Sequence, residues 1–559
     1  MLKTPRSRET WLFWIIALLV LGAGLGLRDP WPADEPRFAL VAKQMIESGD
    51  WLFPHRGTEL YSDKPPMFMW LQAAAYTLFG NWRVAFLLPP LLAALGTLWC
   101  VVDLGKRLWT RRVGLYAGYA LLLALQFTYQ AKKAQIDPVL VFWITLANYG
   151  LLRHLLRGPD WKMWVLGWFA AGIGTITKGV GGLALLMLLP ALFAMWRGWS
   201  QVRLPWRDWR VLLGPLMLLI AVSLWLVPMV TAALSQPDPS YRAYLDDILL
   251  RQTAGRYANS WDHHQPPWYH LGVMLTMWLP PLLALPWALP AWKRRLQRGD
   301  ARYLLPLVWW VLLVVFFSIP SGKRDVYIMP ALPMACLALA PLLPGIVRKL
   351  WPRRLGLAFG AFIAVVALAA GVALLNGQPK LQGRLIDERG LSLEEVRQLG
   401  WLLLAIGTWF SAALLWFRVR RAQFALVAGL SGLWVLFSVA GYPLLNRSNS
   451  GQEVMDRAGR IIGPDAELAL VAWREQNLYA ADRAVTTFEF GKDESPGGSW
   501  DRQWQRGLAW QRQAPQQRWL FVLGRSMPDC IDHAEAVRVG VSNRREWWLV
   551  PAAAATPCR

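Results

Sequence analysis

Two carboxylates stand side by side at Asp34 and Glu35, with an arginine at Arg37. A second acid–base pair, Asp63 and Lys64, precedes Pro65 and Pro66. A carboxylate at a helix start can act as a general base. A lysine held at fixed depth by a double proline is a point charge suited to a phosphate. Each residue also has a plainer reading. Pro36 is pre-set for a first helical turn, so Asp34 sits at an N-cap position and can be a cap and nothing more. Phe38, Val41, Ala42 and Met45 follow at helical spacing and Gly49 is a natural stop, which makes a short amphipathic helix. Lys64 can equally be a snorkelling lysine at an interface.

Two later stretches have the same mixed character. LLRQTAGRYANSWDHHQPPWYH, from Leu249 to His270, brings Arg251, Arg256, His263 and His264 among Trp261, Trp268 and Tyr269. Arginine forks bind phosphate bidentately, and aromatic rings stack on sugars. The histidine pair has no third spaced ligand, so no metal is expected there. The plain alternative is an aromatic interfacial loop. SGKRDVY, from Ser321 to Tyr327, adds Lys323, Arg324 and Tyr327. Asp137 and Lys178 each lie at the end of an apolar run. A charge at membrane depth costs about 2.5–3.5 kcal/mol at mid-span, so such residues tend to be paired or functional.

These residues need a scaffold, and the composition says which. The 559 residues are 55% hydrophobic with a formal charge of +23. A charge this large suggests nucleic acid until the long recurrent apolar runs are considered; they point to a polytopic membrane protein and not to a nucleic-acid partner. About thirteen runs approach the length a spanning helix needs. They are Trp11–Leu27, Val84–Leu104, Val113–Gln130, Pro138–Leu152, Trp161–Thr177, Gly179–Met195, Val211–Leu234, Trp268–Trp292, Tyr303–Ile319, Tyr327–Ile346, Leu355–Leu375, Gly400–Phe417 and Ala422–Leu444. Met67–Phe79 is too short and reads as re-entrant or interfacial. With that assignment every alternate loop is basic, which places the N-terminus in the cytoplasm and the C-terminus outside. Trp11–Leu27 shows no cleavage site and is expected to be retained. Thirty-six tryptophans fit many membrane boundaries. Residues 446–559 alternate β-type runs (Leu468–Trp473, Ala484–Phe490, Trp519–Leu523, Ala536–Val541, Trp547–Val550) with helical patterns (Gln452–Ile462, Ser499–Arg512), as a small α/β domain would. Cys100 and Cys336 fall in apolar runs; Cys530 and Cys558 can pair in an oxidising compartment.

The N-terminal motif DEPRFALVAKQMIESGDW, followed by DKPPMFMWLQAAAYTLFG, resembles the signature of bacterial membrane glycosyltransferases of the C-type fold in the protein O-mannosyltransferase superfamily. It is most similar to the 4-amino-4-deoxy-L-arabinose lipid A transferases. The match rests on Asp34, Glu35, Arg37, Phe38, Ala39, Gly49, Asp50, Trp51, Asp63, Lys64, Pro65 and Pro66. Asp63 stands where glutamate is common in those enzymes, and Arg324 and Asp325 replace the usual residues after Gly322-Lys323, which leaves sugar and acceptor open. The resemblance implies an α-helical polytopic fold over 1–445, with the active-site loop at 28–66 and a periplasmic domain over 446–559. It implies an inverting transfer of a sugar, best matched by aminoarabinose, from undecaprenyl phosphate to lipid A at the periplasmic face of a bacterial inner membrane. Asp34, Glu35 and Asp137 are then expected to be catalytic. Lys64, Arg37, Arg251, Arg256, Lys323 and Tyr327 would hold the donor phosphate, and Asp63, His263, His264 and Trp261 would touch substrate. No essential cofactor beyond the lipid-linked donor, no metal, no nucleic-acid partner and a monomer working among membrane lipids are expected. The alternatives are transfer to a protein or another surface glycan, or a secondary transporter. The transporter reading is disfavoured because the polar residues gather at one face and no internal repeat is visible.

Overall fold

The structure is a computed structural model that describes residues 5–255 and 263–555, with side chains described over 8–251 and 263–555. Among the described residues, seven helices are long and apolar enough to cross a membrane: Trp82–Leu108, Ile136–Arg157, Trp209–Ser235, Ala301–Ser318, Leu350–Leu375, Leu393–Phe417 and Val419–Asn449. Tyr269–Met277 and Pro281–Gln297 form an eighth candidate, bent by 97°. The other apolar runs are helical but shorter or broken, among them Pro5–Gly22, Trp161–Lys178 and the pair Arg111–Leu123 and Leu125–Ala131. A break inside a bundle is tolerated where a neighbour satisfies the released backbone groups. At the break after Leu123, the Leu125 amide donates to the Leu279 carbonyl at 3.0 Å. Met67–Phe79 is a 13-residue helix that begins after Pro66 and ends at Gly80 in the left-handed region, well short of a span.

Ile136–Arg157 and Trp161–Lys178 form an antiparallel hairpin packed backbone to backbone. A Cβ on Gly150 would lie 2.8 Å from the Gly167 Cα, so only glycines permit this approach. The close packing sets the two free ends of the hairpin, Asp137 and Lys178, against each other.

The outer loop folds as an ordered unit. Helix Glu35–Ser48 buries Phe38, Leu40, Val41 and Met45 and stops at Gly49 with φ 73°. A two-stranded hairpin follows, β1 (His55–Arg56) and β2 (Glu59–Leu60), turning at Gly57. Gln44 spans the helix and this turn with both halves of its amide, accepting from the Gly57 amide at 3.0 Å and donating to its carbonyl at 2.9 Å.

The C-terminal region carries a five-stranded sheet in the order β4-β3-β5-β7-β6. The strands are β3 (Glu467–Val471), β4 (Val485–Thr487), β5 (Arg518–Leu523), β6 (Val537–Ser542) and β7 (Arg545–Val550). β3 pairs in parallel with β4 and β5, while β5–β7 and β7–β6 are antiparallel. Helices Gln452–Ile462 and Ser499–Arg512 cover it. Leu40 of the outer loop lies inside this domain's core beside Val454 and Trp473. The Thr58 hydroxyl donates to the Phe488 carbonyl at 3.3 Å, and the Phe490 amide donates to Glu59 at 3.2 Å. The outer loop and the C-terminal domain therefore pack as one body.

Candidate active site

Asp34 precedes the first turn of the outer helix but makes no side-chain cap bond. Its Oδ2 accepts from Gln135 Nε2 at 3.0 Å and from Arg324 Nη2 at 3.2 Å, and its Oδ1 lies 3.6 Å from Arg37 Nη1. The reading of this carboxylate as a helix cap alone is set aside by that geometry. Burial raises its pKa, but Arg324, Arg37 and Lys178 outweigh burial and hold it below the usual carboxylate range. The group is an anion, half-buried, with cations on two sides.

Glu35, the next residue, faces the other way. It is 5% exposed and forms a two-oxygen pair with Arg28, which is itself 2% exposed. The same carboxylate accepts from the Trp31 amide at 2.8 Å and the Ala134 amide at 3.0 Å. Arg28 donates to the Lys132 carbonyl at 3.0 Å, and its guanidinium stands 4.7 Å from the Trp31 ring and 5.0 Å from the Tyr442 ring. This buried pair joins the loop entry to the 132–135 turn, and that turn delivers Gln135 to Asp34.

Asp137 accepts from Lys178 in a close pair, and Lys178 Nζ lies 5.2 Å from the Tyr327 ring centroid. Arg324 and Tyr327 belong to the same outer turn. Arg37 faces Asp34 on one side and, through Nε, donates to Glu475 of the C-terminal domain at 2.9 Å. Burial raises the pKa of Glu475, but Arg37 reverses the shift and holds it low. Lys64 is half-buried at the start of Met67–Phe79, and its Nζ donates to the Asp63 carbonyl at 2.7 Å. Asp34, the Asp137–Lys178 pair, Arg37 and Arg324 thus share one half-buried space, and Lys64 lies on the same loop. Such an arrangement can bind a phosphate ester, steady a departing one and orient a nucleophile.

The family of dolichyl-phosphate-mannose-protein mannosyltransferases matches residues 63–227. An undecaprenyl phosphate-alpha-4-amino-4-deoxy-L-arabinose arabinosyl transferase of Pseudomonas paraeruginosa is 30% identical over 448 residues, covering 77% of this chain and 75% of that one. The protein of the same name from Pectobacterium carotovorum is 30% identical over 390 residues, 66% of each chain. The chain belongs to this arabinosyl transferase family. It is a multi-pass membrane glycosyltransferase. The crystal structure of ArnT from Cupriavidus metallidurans bound to undecaprenyl phosphate superposes with a TM-score of 0.73 at 20% identity, over 97% of both chains, which shows that the C-type fold is shared.

Within this family fold, the structure brings together Asp34, Arg37, Asp137 and Tyr327 from the residues expected for the site. It turns others away. Glu35 is expected with the catalytic carboxylates and instead lies in the buried pair with Arg28. Lys323 is expected on the donor phosphate. It is 3% exposed, and Nζ donates to the Gln265 carbonyl at 3.1 Å and the Pro320 carbonyl at 2.5 Å. The reason is local: 263–265 runs alongside 321–323 as a short antiparallel ladder, which rolls Lys323 inward, where carbonyls must satisfy its ammonium. His263 and His264 are exposed members of that ladder. Asp63 is half-buried beside Lys64. Arg251 is exposed and lies 3.5 Å from Asp247, which also accepts from Ser62. Arg256, Trp261 and Cys558 lie outside the described residues. Among the described residues, no group of three or more His, Cys, Asp or Glu could hold a metal.

Reasoning from sequence alone misses Arg28, Gln135 and Glu475, and it leaves Arg324 as a mere departure from the motif. Arg28 closes an apolar run, which is a signal that can be read. Glu475 carries none, because its partner Arg37 lies 438 positions away.

Proposed function

We propose that the protein transfers 4-amino-4-deoxy-L-arabinose from undecaprenyl phosphate to a phosphate of lipid A, with inversion at the anomeric carbon, on the periplasmic face of an inner membrane. The bond from the anomeric carbon to the donor phosphate oxygen breaks, and a bond from an acceptor phosphate oxygen to the same carbon forms on the opposite face. Undecaprenyl phosphate leaves with the bonding pair. Because the leaving group is a weak base, it requires cations and no general acid. Lys64 supplies one, beside Arg251 at the rim. Asp34, held ionised, orients the amine or a hydroxyl of the sugar and balances charge building at the ring. Lys178 pairs with Asp137 beside it. The 1–445 region forms the membrane catalytic domain and 446–559 the outer domain that closes over the loop.

The observation that carries this reading is Asp34 itself: free of a capping role, it is fixed by Gln135 and Arg324 in a cation-lined space. The relatives are named as undecaprenyl phosphate-alpha-4-amino-4-deoxy-L-arabinose arabinosyl transferases, which supports this donor and sugar. Mass spectrometry of lipid A from cells with and without the gene tests the acceptor. The expected result is an added aminoarabinose that disappears in Lys64→Ala. An unchanged lipid A profile removes this acceptor.

A further inference from the structure

The seam between the outer loop and the C-terminal domain holds more positive charge than the transfer uses. Glu475 is buried there and is already paired, at 2.9 Å with Arg37 and at 3.9 Å with Arg56. Its neighbour Arg474 is not. Arg474 is 4% exposed, yet its Nε and Nη1 have no hydrogen-bond partner among the described residues. Buried donors are almost always satisfied, so these unpaired guanidinium N–H groups mark a place where acceptors are missing.

Arg525 shares an aromatic ring with it, and the charge of Arg545 acts on both. The guanidinium carbons of Arg474 and Arg525 stand 5.7 Å and 5.4 Å from the same Trp500 ring. Arg545, at the start of β7, is the third and is half-buried. Burial and then the charge of Arg545 pull the Arg474 pKa down to about 10, and burial and Arg525 lower that of Arg545. The carboxylate paired within this group is Glu494, which accepts from Arg525 at 2.7 Å. Two guanidiniums on one indole and the nearby Arg545, against Glu494 and a Glu475 already paired with Arg37 and Arg56, leave an excess that an anion with several oxygens would relieve.

We propose that Arg474 and Arg525 on the Trp500 ring, together with Arg545, form a phosphomonoester-binding site that anchors the acceptor glycolipid through a phosphate other than the one receiving the sugar. This rests on the reading that the acceptor is a phosphorylated saccharide lipid. The site adjoins the catalytic space through Arg37, whose guanidinium touches both Asp34 and Glu475, so an anchored acceptor lies within reach of the transfer.

The test uses full-length protein in nanodiscs and two probes: a glucosamine disaccharide lipid with phosphates at both ends, and the same lipid with only the reacting phosphate. Direct binding is measured first, because it requires no transfer. Arg525→Gln and Arg545→Gln are expected to weaken binding of the doubly phosphorylated lipid by about tenfold and to leave the singly phosphorylated one unchanged. In turnover, the KM for the doubly phosphorylated acceptor rises by a similar factor while the donor KM stays constant. Arg474→Gln should do the same; if it does not fold, the two less buried arginines still decide the matter. Equal weakening for both lipids, no weakening for either, or free inorganic phosphate binding as tightly as the lipid would overturn the site. A selective binding loss in a protein that transfers no sugar to these lipids would leave the site standing and sink the acceptor assignment alone.

Discussion

Arg324 Nη2 donates to Asp34 Oδ2 at 3.2 Å, joining the first outer loop to a turn 290 positions later. Gln135 shares that oxygen from a third segment. The carboxylate is therefore aimed by two donors from different parts of the chain, which is what a preorganised group in a partly dry site requires. Neither donor belongs to the helix that Asp34 precedes.

Asp34→Asn keeps the shape and removes the charge. Transfer should fall by about 10²–10⁴-fold, the range expected when a positioned reacting-site group is lost. Asp34→Asn also removes the ion pairs to Arg324 and Arg37, so the thermal midpoint of the purified protein should fall modestly while the protein still folds and inserts. Activity within a few fold of wild type would remove Asp34 from the chemistry.

The pH profile tests the cations around Asp34. Its folded pKa is depressed, so its ion pairs add stability above its unfolded value, and that stability is lost as pH falls through the folded one. Transfer should persist into acid below the ordinary carboxylate range. Arg324→Gln removes the largest lowering influence, so the acid limb of kcat/KM should move to higher pH. An unmoved limb in this variant would mean that another group sets it.

Glu35 should behave in the opposite way to its neighbour. Glu35→Ala leaves Arg28 buried and uncompensated, at a cost of about 3–5 kcal/mol. The variant should show reduced expression and a lower unfolding temperature. The double variant Arg28→Met with Glu35→Leu should regain much of that stability, because no buried charge remains. A stable Glu35→Ala protein lacking transfer would return Glu35 to the catalytic set.

The Arg37–Glu475 pair tests whether the C-terminal domain holds the loop in place. Arg37→Gln and Glu475→Gln should each lower kcat/KM, and the double variant should fall short of their sum by about 0.5–3 kcal/mol of coupling. Strict additivity would show that the two residues act independently.

The long apolar runs and the short strands of the C-terminal domain were readable because each depends on local periodicity. The helices Gln452–Ile462 and Ser499–Arg512 form with the bounds their spacing implies. Gly49 stops the outer helix as a residue free to take φ 73° should. The charged residues Asp34, Arg37, Lys64 and Asp137 were likewise visible as charges set between apolar runs.

Which way each charge faces was not visible. Asp34 and Glu35 are adjacent and chemically alike, and a helical rotation of about 100° per residue sends one to the cleft and the other into the bundle. Lys323 and Arg324 divide in the same way on a two-residue alternation, one inward to carbonyls and one outward to Asp34. Local sequence offers both faces to both residues. The choice is made by Arg28, Gln135 and Glu475, partners brought close only when the bundle packs and the C-terminal sheet closes on the loop, because a charge in a dry place is stable only where its counter-charge is already held.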